Sequence, residues 1–204
     1  MSPATPVVLA SGNRAKLREL SELLLPLGLA LLPQTKFGIE PPPETGDSFV
    51  DNALLKARNA AKRTSLAALA DDSGLEVDAL GGLPGVRSAR YAGEGATDAE
   101  NLAKLLLALR DVEAHRRTAR YRCAIAFVTS GANSAPIIAE ASWEGVLLDH
   151  ARGNGGFGYD PIFVPSGQRL TVAELPPAAK NAVSHRGRAI AALLQKLAPG
   201  AMPA

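Results

Sequence analysis

The sequence predicts an α/β fold, and three observations carry that prediction. Apolar runs of strand length alternate along the chain with amphipathic segments at helical spacing. The first such pair, Val7-Val8-Leu9-Ala10 followed by Ser11-Gly12-Asn13 and an amphipathic stretch, is a strand–turn–helix unit. Further on, residues 119–129 and 136–148 read as two antiparallel strands joined by the loop Ser130-Gly131-Ala132-Asn133-Ser134.

Bulk composition narrows the class. A chain of 204 residues makes one domain or two closely packed lobes, with no domain-scale linker and no repeats. Hydrophobic residues at 47% and charged ones at 21% are ordinary for a soluble globular protein. The formal charge of +2 argues against a nucleic-acid coat or a membrane-surface protein, so any cationic site must be local. Cys123 is the one cysteine, excluding an intrachain disulfide, and its neighbours Ala124 to Phe127 suggest a buried structural thiol. No apolar run approaches the ~18 residues of a membrane helix. The start, Met1-Ser2-Pro3-Ala4-Thr5-Pro6, lacks signal-peptide character. Cytoplasm is the expected location.

In chain order, Val7–Ala10 is a short buried strand and residues 14–25 a helix with Leu17, Leu20 and Leu24 on its apolar face. A strand, a small polar turn and a helix start aim free N–H groups at an anion. Lys16 in the first turn, disfavoured there by the helix dipole, fits an anion nearby; Ser and Asn are also ordinary caps. Residues 33–43 form a loop-rich passage leading to Glu44-Thr45-Gly46. Ser48 then caps a helix to about Arg63 that buries Val50, Ala53, Leu54, Ala57 and Ala61. Asn52, Lys56 and Asn59 share its other face, a solvated face unless Glu44 gives Lys56 a task.

Leu66–Ala70 is the next strand, delivering Asp71 and Asp72 at its end, where open α/β sheets gather ligands. Two readings fit Asp71-Asp72-Ser73-Gly74: a polar turn, or paired carboxylates awaiting a cation. Leu75–Leu80 continues as a strand, ending in the shaped loop Gly81-Gly82-Leu83-Pro84-Gly85. Arg87 and Arg90 follow, as rim charges or anion contacts. Thr97-Asp98-Ala99-Glu100 is a capping box opening a packing helix through Leu109, and residues 111–118 form a charged loop. Trp143 falls in the second strand of the antiparallel pair. The passage Arg152-Gly153-Asn154-Gly155-Gly156-Phe157-Gly158-Tyr159-Asp160-Pro161 packs four glycines into six positions, costly in backbone entropy. It is either a flexible turn or a place where the backbone nears a ligand while Phe157 or Tyr159 stacks on a ring. Ile162–Val164 returns as a strand, and Thr171-Val172-Ala173-Glu174 is a further capping box. Ser184 caps the last helix, placing His185 and Arg186 in its first turn, where with Lys180 they suit a phosphate or a base carbonyl.

Taken together these stretches resemble the inosine/xanthosine triphosphate pyrophosphatase family, the house-cleaning nucleoside triphosphate pyrophosphatases. The matching pieces are Ser11-Gly12-Asn13 with Lys16, Glu44-Thr45-Gly46, Asn52-Ala53-Leu54-Leu55-Lys56-Ala57 and Ala70-Asp71-Asp72-Ser73-Gly74-Leu75. Pro84-Gly85, Ser88-Ala89-Arg90-Tyr91, Gly155-Gly156-Phe157-Gly158-Tyr159-Asp160-Pro161 and Ser184-His185-Arg186-Gly187 complete the set. Ser11 stands where many relatives carry threonine, and the hydroxyl survives.

The resemblance implies an α/β fold with a long, curved mixed β-sheet flanked by helices, in two lobes with a central substrate cleft. It implies one pyrophosphatase domain over residues 1–204, Mg²⁺ dependence and a homodimer, with a small nucleotide as partner and neither nucleic acid nor membrane. The implied reaction is hydrolysis of nonstandard purine nucleoside triphosphates (ITP, dITP, XTP) to monophosphate and pyrophosphate. By matching position, Asp72 accepts the proton from water and with Glu44 binds metal. Asn13, Lys16 and Lys56 hold the triphosphate, Ser11, Gly12 and Ser73 contact substrate, and Phe157, Gly158, Tyr159, Asp160, Lys180, His185 and Arg186 form the base pocket. The competing readings are a pyrophosphatase for dUTP or modified pyrimidine nucleotides, and a nucleotide-binding regulator without hydrolysis.

Overall fold

The computed structural model describes residues 5–24, 28–129 and 135–197. Its strands are β1 (Thr5–Leu9), β2 (Leu29–Pro33), β3 (Ala68–Val77), β4 (Thr118–Val128), β5 (Ile137–Leu147) and β6 (Phe163–Pro165). Its α-helices are α1 (Arg14–Leu24), α2 (Phe49–Thr64), α3 (Asp98–Ala108), α4 (Pro177–Val183) and α5 (His185–Leu197). The strands form one mixed sheet in the order β2-β1-β3-β4-β5-β6. β1 runs parallel to both β2 and β3, in register at Leu9↔Pro33 and Leu9↔Leu69, while β5 and β6 are antiparallel at Val146↔Val164. The α/β expectation is therefore met. The predicted loop at 130–134 and the last residue of the first predicted helix, Leu25, lie outside the described residues.

The chain divides into two compact units. The first comprises Met1–Asp72, Ala124–Glu140 and Gly187–Ala204; the second comprises Ser73–Cys123 and Ala141–Arg186. In the first unit, Val7, Val8 and Leu9 of β1 and Ala68, Leu69 and Ala70 of β3 are buried, as are Leu20 and Leu24 of α1. Ala53, Ala57, Ala60 and Ala61 line the buried side of α2, where small side chains permit close helix packing. In the second unit one cluster joins Leu75 and Val77 of β3, Leu105 and Leu109, Tyr121, Trp143, Leu147, Tyr159, Ile162 and Phe163. Trp143 and Phe163 meet with ring centroids 5.9 Å apart in a tilted pair. Truncating a side chain such as Phe163 to alanine costs about 3–5 kcal/mol.

Ser48, Thr97 and Thr171 act as the predicted caps. Asp51 N–H donates to Ser48 Oγ at 3.1 Å, and Thr97 with Glu100 and Thr171 with Glu174 form reciprocal boxes. The last of these opens only a 3₁₀ turn, Val172–Glu174, ahead of α4, a short helix that no sequence pattern announces.

Two expectations are corrected. Residues 71–74 are not a turn between two strands: β3 runs unbroken from Ala68 to Val77, and residues 78–80 are a 3₁₀ turn rather than strand. Placement inside the sheet, between β1 and β4, overrides the turn preference of Asp-Ser-Gly. β2 was also unforeseen, because Leu29-Ala30-Leu31-Leu32-Pro33 has no alternation and ends in proline, as suits an edge strand.

Candidate active site

In the first unit, strand pleating divides the two aspartates. Neighbours on a strand point to opposite faces, so Asp71 and Asp72 part, and each meets its own lysine. Lys16, from the first turn of α1, forms an ion pair with the Asp71 carboxylate and reaches the Asp71 carbonyl at 3.5 Å. Lys56, on α2, lies 2.6 Å from Asp72 Oδ1 and 2.5 Å from Glu44 Oε1. The face of α2 that carries Asn52 and Lys56 is buried, not solvated. Asn52 explains how Glu44 gets there. Its amide accepts from Gly46 N–H at 2.9 Å and donates to Gly46 C=O at 3.3 Å, pinning the Glu44-Thr45-Gly46 segment to the helix. A Cβ on Gly46 would come within 2.7 Å of Asp51 Cβ, so a glycine is needed for that approach.

The electrostatics follow from burial. Desolvation opposes charge on Lys56, but Asp72 and Glu44 outweigh it and its pKa is raised. Burial also raises the Asp72 pKa, against the pull of Lys56 and Lys16 and with a smaller push from Glu44. Asp72 Oδ2 is buried with no hydrogen-bond partner among the described residues. Among those residues no group of three or more His, Cys, Asp or Glu side chains is poised to hold a metal. Glu44 and Asp72 are nonetheless two hard oxygen donors on one ammonium, with one oxygen atom unclaimed. That set fits a magnesium-like cation completing its shell with water and phosphate oxygens.

The turn before α1 caps that helix. Asn13 Oδ1 accepts from the N–H groups of Ala15 at 2.9 Å and Lys16 at 3.1 Å, and Ser11 Oγ accepts from Asn13 N–H at 3.1 Å. Ser11 is half-buried while Gly12 and Asn13 are exposed.

In the second unit a different cluster forms around Asp160, which is 3% exposed. Its Oδ1 accepts from Tyr121 O–H at 3.0 Å, and its Oδ2 accepts from Lys180 Nζ and from Phe157 N–H, each at 2.9 Å. Lys180 Nζ stands 4.6 Å from the centroid of the Phe157 ring, and the Arg186 guanidinium 5.7 Å from it. Arg186 Nη2 donates to Ser73 Oγ at 3.0 Å. The His185 ring stacks on Tyr121 at 4.7 Å and 9°. Phe157, Asp160, Lys180, His185 and Arg186, and through Arg186 also Ser73, are therefore brought together.

Gly158 and Tyr159 are not. Gly158 N–H donates to the Asp98 carboxylate at the start of α3, at 2.8 Å. Tyr159 is a core residue, 4% exposed, with its hydroxyl donating to Ser88 C=O at 2.8 Å, so its ring is no stacking surface for a ligand. The glycines of this loop answer to the protein as well: a Cβ on Gly156 would strike the Asp160 carboxylate, and one on Gly155 the Ala173 carbonyl. A cavity of about 320 Å³ follows the loop past Phe157 to Asp98 and Leu102, and among the described residues no cationic side chain lines it. Tyr121, within the strand predicted at residues 119–129, is a member of the cluster that no sequence motif singled out.

Comparison with known proteins identifies the family. The Ham1 family sequence pattern matches residues 7–196. A dITP/XTP pyrophosphatase of Thioalkalivibrio sulfidiphilus is 55% identical over 94% of this chain and 97% of its own, and that of Escherichia coli K12 is 50% identical over 95% and 98%. A HAM1 protein from Coxiella burnetii has a solved structure that superposes with a TM-score of 0.85 at 51% identity, over 95% of this chain and 98% of that one. The Staphylococcus aureus Ham1 protein gives 0.82 at 36% identity, over 95% and 97%. The chain belongs to the Ham1 family.

Proposed function

We propose that this protein hydrolyses nonstandard purine nucleoside triphosphates, ITP, dITP and XTP, to the nucleoside monophosphate and pyrophosphate, clearing them from the nucleotide pool. The relatives named dITP/XTP pyrophosphatase support the reaction. The observation that carries it is the Lys56 ammonium held between Glu44 and Asp72 while Asp72 Oδ2 has no hydrogen-bond partner among the described residues.

Cleaving the α–β anhydride requires charge neutralisation on the phosphates and a base directed at water. Lys56 and Lys16 supply positive charge from α2 and α1, and the start of α1 with Ser11, Gly12 and Asn13 adds backbone donors for phosphate oxygens. Asp72 Oδ2 accepts the proton of the attacking water. Burial makes this carboxylate more basic than an exposed aspartate, and Lys56 keeps it ionised. Glu44 and Asp72 would hold Mg²⁺, which supplies further positive charge against the phosphate oxygens.

The purine stacks on Phe157, with Lys180, His185 and Arg186 as donors to its 6-oxo group. Adenine presents a 6-amino donor there, which would leave buried donors unpaired, a strong basis for rejection. Guanine shares the 6-oxo group, so its rejection rests on the 2-amino substituent. The same reading takes the enzyme as a cytoplasmic homodimer; among the described residues no helix is long and apolar enough to cross a membrane.

The test is a panel of ITP, XTP, dUTP, GTP and ATP with pyrophosphate detection, with and without Mg²⁺. We expect kcat/KM for ITP and XTP to exceed that for ATP and GTP by about 100-fold or more, worth ~2.7 kcal/mol, and turnover to need the cation. Equal efficiency across the panel would overturn the assignment.

A further inference from the structure

We infer that Tyr121 is a positioning residue for recognition of the purine ring, tying the His185 ring and the Asp160 carboxylate into one unit. The inference rests on the base-pocket reading above and extends it to a residue on β4 that carries no donor for the base itself.

The contacts form an unbroken chain. One face of the Tyr121 ring lies on His185, centroids 4.7 Å apart and planes 9° from parallel. That stack limits how His185 rotates and sets where its N–H groups point. At the other end of the same side chain, the hydroxyl donates to Asp160 Oδ1. Asp160 spends its other oxygen on Lys180 and on the backbone of Phe157. One phenol therefore constrains an imidazole by stacking and, through a carboxylate, an ammonium and an aromatic ring. Burial first, and then Asp160, raises the Tyr121 hydroxyl well above its ordinary range, so it stays a donor at every working pH. Phe163 gives the contrast: it packs on the Tyr121 ring at 4.7 Å and belongs to the same hydrophobic cluster, but it makes none of the polar links.

Tyr121→Phe preserves the stack and removes the hydroxyl, freeing Asp160 Oδ1. We expect KM for ITP to rise about five- to tenfold, kcat to stay within about twofold, and the ITP-to-ATP ratio of kcat/KM to fall by a similar factor. Tyr121→Leu removes the stack as well and should lower the ratio further. The ratio and KM do not depend on how much of a preparation is folded, so a poorly folding variant still reports. Phe163→Leu is the packing control, expected to lower Tm and leave the ratio unchanged. The inference is overturned if Tyr121→Phe lowers Tm alone with the wild-type KM and ratio, or if Phe163→Leu moves the ratio equally. A wild-type protein that turns over ITP and ATP alike would instead defeat the base-pocket reading itself.

Discussion

Asp72 in the first unit and Asp160 in the second are both buried aspartates, 5% and 3% exposed, each beside a buried lysine. They differ in what is left over. Asp160 has both oxygens engaged, by Tyr121 on one and by Lys180 and Phe157 N–H on the other. Asp72 has Oδ1 on Lys56 and Oδ2 without a partner among the described residues. A saturated carboxylate holds its neighbours still, whereas one with an unclaimed oxygen has capacity for a cation or a proton. On the proposed function, bonding capacity separates the aspartate assigned to recognition from the one assigned to chemistry better than burial or charge does.

The comparison is broken most severely at Asp72. Asp72→Asn keeps the shape and loses the base, and pyrophosphate release from ITP should fall about 10²–10⁴-fold with the circular dichroism spectrum retained. Near wild-type release would remove Asp72 from the chemistry. Lys56→Met comes next, leaving Glu44 and Asp72 facing each other without their ammonium. We expect a stability loss of about 3 kcal/mol without metal, seen as a Tm lower by roughly 10 °C and partly restored by Mg²⁺. A Tm indifferent to Mg²⁺ would argue against these carboxylates as its ligands.

At Asp160 the expected effect is smaller and different in kind. Asp160→Asn weakens charge-assisted bonds to Lys180 and Phe157, and should reduce kcat/KM for ITP about 10- to 100-fold, chiefly through KM. Gly156→Ala approaches the same carboxylate from the backbone side, at a residue with φ +72°. It should cost about 1–2 kcal/mol by thermal unfolding and weaken the preference for ITP over ATP. Tyr159→Phe is the mildest: loss of one hydrogen bond to Ser88 costs about 1 kcal/mol, and steady-state constants for ITP should match wild type.

Much of the fold was legible because it rests on local rules. Ser48, Thr97 and Thr171 announced turns of helix through caps that need only three or four residues of context. The course of β3 through Asp71–Gly74 was not legible, because the pairing that holds it comes from β1 and β4, far away in sequence. The site divides the same way. Residue types at Lys16, Glu44, Lys56 and Asp72 suggested a charge cluster, but the burial of Lys56 depends on a Glu44 segment pinned by Asn52. Phe157 and Tyr159 were indistinguishable as stacking candidates, since only tertiary packing sends one to Lys180 and the other to Ser88. Tyr121 carried no local signal, because its role comes from partners 39 and 64 residues away, Asp160 and His185.

The most direct measurement is kcat and KM for ITP and ATP in wild type, Asp72→Asn and Asp160→Asn, assayed side by side for pyrophosphate. The division of labour predicts that Asp72→Asn loses kcat on both nucleotides and keeps the wild-type ITP-to-ATP ratio, while Asp160→Asn keeps kcat within several-fold and loses the ratio. An Asp160→Asn enzyme as deficient in kcat as Asp72→Asn, with its preference for ITP intact, would contradict it.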